Sequence, residues 1–482
     1  MSENKAGGSA ADANSLCYLT ASEAIKRFKT RDLSPVELLD AVIARTEAVN
    51  PKVNAYTETF FERARTQARE AETKYMKGGD VRPLEGVPCV FKDLHPIKGE
   101  VVTWGSKVYE GAKAEFTIPT VQRLLDAGVI RLATTTTPEF GHAGHCHTPL
   151  FGATRNPWNL EYSSGGSSGG AGAAVAAGMT TLADGSDGGG SVRIPASACG
   201  VFGFKPPFGR NPTCLTGSNI EMILHFGPIA RSVADAALMQ NVMSGPEPTD
   251  IMSINPELRL PERFEGIKGW KIAYSPDLGY FEVDKEVAAN TRAAVDALRD
   301  LGCEVEEVDL GWNMGTMDAW TTHWEALFAT LCGDYLPRWQ YEMDPFVRGL
   351  LQRGLEHSAV RLKRTELVRT EMYNSLGPIL QKYNALVCPT LAVPSIPAFH
   401  QNDDPNFKIN GKPVHPYIQW AMTYPFNLVS QCPVASIPTG FAKSGVPTGM
   451  QIVAKPFDDL SVFRVAAAFE AARPWAGVAP AL

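Results

Sequence analysis

Long apolar runs are missing from this chain. Nothing in its 482 residues approaches the roughly 18 consecutive apolar positions of a membrane-crossing helix, so no transmembrane span is expected. Met1 to Asn14 is polar and glycine-rich and has none of the apolar core of a secretory signal. Basic tracts are missing too. With 45 Lys and Arg against 52 Asp and Glu, the formal charge is −7, which argues against nucleic acid or an anionic membrane as partner. The nine cysteines contain no C-x-x-C pair. Odd in number and scattered, they read as reduced, mostly buried thiols, and the expected location is cytoplasmic. There is no H-E-x-x-H zinc motif and no internal repeat.

What is present is the composition of a folded enzyme. A hydrophobic fraction of 44% with 9% aromatics rules out a disordered chain. Residues 1–15 read as a disordered tail and 16–482 as one domain. Thr20-x-x-Glu23 and Ser34-Pro35-Val36-Glu37 both fit a helix capping box, the second with proline at the first helical position. Leu38, Leu39, Val42, Ile43, Thr46 and Val49 then recur at helical spacing on one face. Val129 to Ala133 reads as a strand. Trp270 to Tyr274, a helix over Val287 to Leu301, and Cys303 to Val308 make a βαβ unit. Pro248 to Pro261 is the best candidate linker, yet motifs that belong together fall on both sides of it. The expectation is therefore one α/β domain with a long excursion around 310–350.

Two serine clusters stand out: Gly165-Gly166-Ser167-Ser168-Gly169-Gly170 and Asp187-Gly188-Gly189-Gly190-Ser191, with Ser167 and Ser191 24 positions apart. A serine hydroxyl is a weak nucleophile until a base takes its proton and donors hold the oxyanion it creates. Three consecutive glycines can turn backbone N–H groups inward without Cβ obstruction, so Gly188, Gly189, Gly190 and Ser191 form a candidate oxyanion nest. The stiff Arg193-Ile194-Pro195 that follows argues against a merely flexible turn. Upstream, the apolar run Val87 to Phe91 ends in Lys92. A free lysine, with a pKa of about 10.4, is almost wholly protonated at neutral pH. Burial beside Val90 and Phe91 would depress that value and free the amine to act as a base.

With Lys92, Ser167 and Ser191 in this order, residues 20–475 resemble the amidase signature family. The resemblance implies a single large domain with a central twisted mixed β-sheet covered by helices on both faces. It implies a cis Gly166–Ser167 peptide, Ser191 as nucleophile, Lys92 as base and Ser167 as the proton relay between them. It also implies supporting roles for Ser168, Asp187, Arg193 and Asn427. The implied reaction is amide hydrolysis through an acyl-enzyme, with no cofactor and no metal, on a small-molecule amide or carbamate, by a monomer or homodimer. Gly152 to Leu160 and Arg193 to Ser197 look most like the branch of aryl acylamidases, nylon-oligomer hydrolases and urethane-cleaving amidases. Departures from the family wording include Gly188, where a bulkier residue is usual, and His95, where an amide is frequent. Ala133 to Thr137 before Pro138-Glu139-Phe140, and Phe204-Lys205-Pro206-Pro207, depart as well.

Rival readings remain. Gly165-x-Ser167-x-Gly169 matches a nucleophile elbow, which needs an apolar strand just before it; Asn156 to Tyr162 does not read as one. His142, His145, His147 and Cys146 could form a loose metal cluster. An amidotransferase component that works with partner chains is the alternative within the family. For substrate binding, Trp312, Trp320, Trp324 and Tyr335 in the excursion are the candidate aromatic wall, with a core helix pair as the competing reading.

Overall fold

Eleven strands hydrogen-bond into one mixed sheet. In chain order they are β1 (Tyr56–Thr59), β2 (Pro88–Lys92), β3 (Ile130–Thr135), β4 (Leu182–Asp187), β5 (Phe202–Lys205) and β6 (His225–Ala230). The rest are β7 (Lys271–Tyr274), β8 (Glu304–Glu307), β9 (Ala385–Pro389), β10 (Val434–Phe441) and β11 (Pro447–Val453). Across the sheet the order is β1-β3-β2-β4-β6-β5-β10-β11-β9-β7-β8. Parallel triplets β3-β2-β4 and β9-β7-β8 flank an antiparallel middle, and β1 runs antiparallel on one edge. The computed structural model describes residues 15–215 and 217–482. The expected tail therefore lies outside the described residues except for Ser15, which is helical.

Local signals act as their chemistry requires. Thr20 accepts the Glu23 N–H at 3.1 Å to cap the helix Ala21–Thr30, and Ser34 with Glu37 forms a full reciprocal box on Pro35–Val53. The apolar face from Leu38 to Val49 is buried. β7, the helix Lys285–Asp300 and β8 form a parallel βαβ unit. β5 pairs with β10 across the proline-rich 248–261 stretch, which thus connects two parts of one sheet.

Alternation along the strands creates the layers. Cys89 and Phe91 of β2 face one core and Val90 faces another. The first core runs the length of the sheet, through Leu182, Phe226, Ile272 and Met450. The opposite face carries two. One, with Val90, Leu132 and Ala183, lies under the helix Pro35–Val53. The other, with Ala273, Leu386 and Val453, lies under the helices Met314–Cys332, Pro345–Glu356 and Ala359–Lys382. The helix Arg193–Cys199 spans both, with Ala196 and Cys199 in one core and Ile194 and Ala198 in the other. The excursion is thus a helical layer over the far end of the sheet. No described helix is long and apolar enough to cross a membrane.

Candidate active site

Strand β2 ends at the centre of the molecule, and its last residue is Lys92, only 1% exposed. The Nζ group donates to Ser167 Oγ at 2.7 Å and to Ser186 Oγ at 3.1 Å. Burial pulls the amine down to about 7, against the opposing pull of Cys146, Asp184 and Asp187. An amine at that value is substantially neutral near pH 7 and can take a proton. Ser167 follows a cis peptide from Gly166 and leads into the helix Gly169–Ala176. That helix holds only Gly, Ala and Val because its neighbours are close: a Cβ on Gly170 would meet Ala55 O at 2.4 Å. Ser168 joins the two serine motifs, donating its N–H to Ser191 O at 3.2 Å.

The glycine loop is held from outside. Asp187 sits fully buried at its start and pairs with Arg193 at 2.8 Å. Arg193 also donates to Thr423 O, Gln451 Oε1 and Asn427 Oδ1 at 2.9, 2.7 and 2.7 Å. Burial alone would raise the Asp187 pKa, but Arg193 and Asn427 hold it well below the usual carboxylate range. Trp320 Nε1 donates to Gly188 O at 3.0 Å and Thr423 Oγ1 to Gly189 O at 2.6 Å. With those carbonyls turned outward, the N–H groups of Gly188, Gly189 and Ser191 have no acceptor among the described residues. Gly190 differs from expectation: its N–H donates to Asp187 Oδ1 at 2.9 Å, so it braces the loop and is not free for an oxyanion. Ser191, Ser167 and Ser186 open on one cavity, with Gly141 and Gly188 at its base.

A buried lysine drawn down to about 7, two serines and N–H groups without acceptors on a glycine loop are the parts that acyl transfer would need. The profile of the Amidase family matches residues 37–463. This chain belongs to the amidase family. An acylamidase of Rhodococcus erythropolis is 37% identical over 472 residues, covering 97% of this chain and 98% of the relative. A glutamyl-tRNA(Gln) amidotransferase chain of Geobacter metallireducens is 32% identical over 486 residues, covering 95% and 98%. The solved structure of a bacterial aryl acylamidase of the amidase signature family matches with a TM-score of 0.88 at 31% identity, covering 95% of this chain and 97% of that one. The protein is an amidase-family hydrolase acting on amides.

The four aromatic residues expected to wall the amidase's cavity are placed differently from one another. Trp324 lines it, together with Leu327, Phe328 and Leu331 of the same helix. Trp320 lies behind the glycine loop, stacked on Trp324 at 5.1 Å. Trp312 is a core residue whose indole donates to Ser375 Oγ at 3.0 Å and packs on Phe426. Tyr335 is one step back, its hydroxyl 2.6 Å from that of Tyr109, which packs on Trp104 and Phe140. These positions correct the expected wall to Trp324, with a helical spacing that also serves the core.

The rest of the wall was not expected from the sequence. Trp104 and Phe140 line the cavity, and both hold left-handed backbone, at φ 54° and 52°. For residues with a β-carbon that conformation costs about 1–2 kcal/mol, so something must enforce it. The Phe140 N–H donates to the Trp104 carbonyl at 2.6 Å, and beside them Glu139 accepts Ser106 Oγ at 2.6 Å and the Asp344 N–H at 2.7 Å, its burial pushing the carboxyl up to about 7. No local pattern announces this tie, because its partners lie 33 and 205 positions from Glu139.

The histidines do not converge. His142 Nδ1 faces Glu139 O at 2.9 Å, His145 packs against His400, and His147 against Phe399. Among the described residues no group of three His, Cys, Asp or Glu is placed to hold a metal ion. His95 is elsewhere, on Asp184 at 2.6 Å. The segment before Ser167 does contain a strand, Asn159–Ser163, contrary to expectation. It pairs with Arg155–Asn156 and bridges Pro397 through Tyr162, outside the main sheet, so it is not the central strand of a nucleophile elbow.

Proposed function

We propose that this amidase cleaves aryl amides, and aryl carbamates by the same route, through an acyl-enzyme on Ser191. Ser191 Oγ attacks the carbonyl carbon while its proton passes to Ser167 and the Ser167 proton passes to Lys92. The N–H groups of Gly188, Gly189 and Ser191 hold the oxyanion. The relay then returns a proton to the leaving nitrogen, and the C–N bond breaks. Water repeats the sequence on the ester and releases the acid; from a carbamate it releases a carbonic acid half-ester. Arylamines leave as readily from either substrate, and esters of similar shape fit the same steps.

The observation that carries the substrate reading is the cavity lining. Around the serines and glycines it is built from Leu94, Trp104, Phe140, Leu215, Leu224, Trp324, Leu327, Phe328 and Leu331. No charged side chain is among the described lining residues. Aromatic walls favour a planar ring by offset or edge-on stacking, about 0.5–1.5 kcal/mol beyond area burial. A zwitterion such as glutamine would be desolvated there without a partner, which favours hydrolysis of small aryl substrates over an amidotransferase role. This reading places a monomer or homodimer in the cytoplasm.

The test is kcat/KM of the purified chain on acetanilide, an aryl carbamate, acetamide and glutamine. The expected order is both aryl substrates well ahead of the other two. Equal or better use of acetamide would remove the aromatic-pocket reading, and glutamine hydrolysis that needs added partner chains would favour the amidotransferase one.

A further inference from the structure

Asp184 and His95 form a buried pair directly behind Lys92. Asp184, on β4, accepts the Lys92 backbone N–H through Oδ1 at 2.9 Å and meets His95 Nδ1 through Oδ2 at 2.6 Å. The His95 N–H closes a turn onto the Lys92 carbonyl at 2.9 Å. Both side chains are sealed from solvent, at 0% and 1% exposure. His95 Nε2 has no hydrogen-bond partner among the described residues, and its ring rests on Phe226 with centroids 5.0 Å apart.

That asymmetry selects the tautomer of the ring. A protonated imidazole would bury an Nε2–H that has no acceptor, and a buried donor left unpaired is costly. A neutral ring with its hydrogen on Nδ1 donates to Asp184 and leaves only a bare lone pair against Phe226. Asp184 then meets two N–H donors, the His95 ring and the Lys92 backbone. The other groups facing Lys92 are already neutral or matched. Asp187 is paired with Arg193, and Arg131 on β3 is held by Glu100 at 3.0 Å. The Cys89 and Cys146 thiols are pushed up by burial, and Asp93 is bound to Thr103.

We infer that Asp184, oriented by His95, is a positioning residue for the Lys92 base: it anchors the strand end that carries the lysine and supplies the counter-charge for the ammonium formed during turnover. When Lys92 takes the Ser167 proton, a positive charge appears on a side chain that is almost wholly buried. A fixed carboxylate nearby stabilises that charge without reorganising. The proton goes on to the leaving nitrogen, so the pair is never consumed.

This inference rests on Lys92 being the base, and the pH profile of kcat/KM for an anilide tests it. In Asp184→Asn the charge favouring the ammonium is gone, so the acid limb should move down by about one pH unit and the plateau should fall at least tenfold. In His95→Ala the carboxylate loses one of its donors, its charge becomes less dispersed, and the limb should move up. His95→Asn can still offer an N–H, and should keep the limb where the wild type has it. Opposite shifts in the first two variants support the inference; a merely structural role predicts lower rates with an unmoved limb. Unmoved limbs, or shifts in the same direction, overturn it. Should Asp184→Asn fail to fold, the contrast between His95→Ala and His95→Asn decides. Lys92→Ala separates the two levels. If it keeps its rate, the base reading falls and this inference with it; if it is inactive while the limbs stay put, only this inference falls.

Discussion

The indole of Trp324 occupies the space that a side chain on Gly188 would fill. A Cβ on Gly188 would lie 2.5 Å from Trp324 Cζ3, closer than any real contact of that kind. The absence of a side chain on the oxyanion loop and the presence of an indole on the facing helix are one arrangement. Gly188→Ala should therefore push Trp324 off its bonds to His142 O and Tyr417 and lower both activity and melting temperature. The double variant Gly188→Ala, Trp324→Ala should recover part of that loss, with a coupling of about 1–3 kcal/mol. Thermal unfolding and kcat/KM on all four proteins check it, and strict additivity would contradict the relationship.

Ser191→Ala should abolish turnover with the fold intact, since it removes the attacking oxygen. Ser167→Ala should lose most activity and keep a residue of it, because it removes the relay alone. Rate assays on folded protein decide. An inactive Ser167→Ala beside a near-normal Ser191→Ala would exchange the two roles.

How much of this was legible in the sequence depends on the range of each interaction. Lys92 at the end of an apolar strand, the caps at Thr20 and Ser34, and the small-residue loops are written over a few adjacent positions, so pattern reading reaches them. The Gly190 N–H was out of reach: glycine identity shows that a backbone can bend, and only the Asp187 carboxylate shows where the N–H points. Asp184 and His95, 89 positions apart, give no local signal at all. The aromatic excursion was half legible. Tryptophan composition marks an apolar region, but whether an indole faces a cavity or a core turns on which face of Met314–Cys332 meets the glycine loop, and helical spacing serves both.

Activity should rise with pH through about 7. Lys92 is pulled down from the ordinary lysine range by burial, and only its neutral form accepts the Ser167 proton. Below that value the ammonium dominates and the rate falls; above it the rate levels off. A kcat/KM profile from pH 5 to 9 reads the limb directly. Dialysis against a chelator should leave the rate unchanged, and a loss restored by zinc would revive a role for the histidines.

Breaking the Asp187–Arg193 pair should cost about 3–5 kcal/mol of stability, because either substitution leaves a buried charge uncompensated. Arg193→Ala strands Asp187, and Arg193→Lys cannot reproduce the fork that meets Asp187, Thr423, Gln451 and Asn427. The pKa of Asp187 is lowered in the folded protein, so its contribution is complete above the ordinary aspartate range. It is lost only as pH falls through the depressed folded value. Denaturant melts of wild type and Arg193→Ala at neutral pH should show the deficit, and equal midpoints would refute it.

The seven-residue helix Arg193–Cys199 ties Ser191, the proposed nucleophile, to both cores on that face of the sheet. Because alternate sides of it are embedded in separate cores, the oxyanion loop at its head cannot settle until both have assembled. Neither portion of the sheet carries a usable fragment of the enzyme. Damage on either side is transmitted to the same few backbone amides, and catalytic competence becomes a readout of the integrity of two packed regions that this short element joins. Activity and tertiary structure should therefore be lost together on heating.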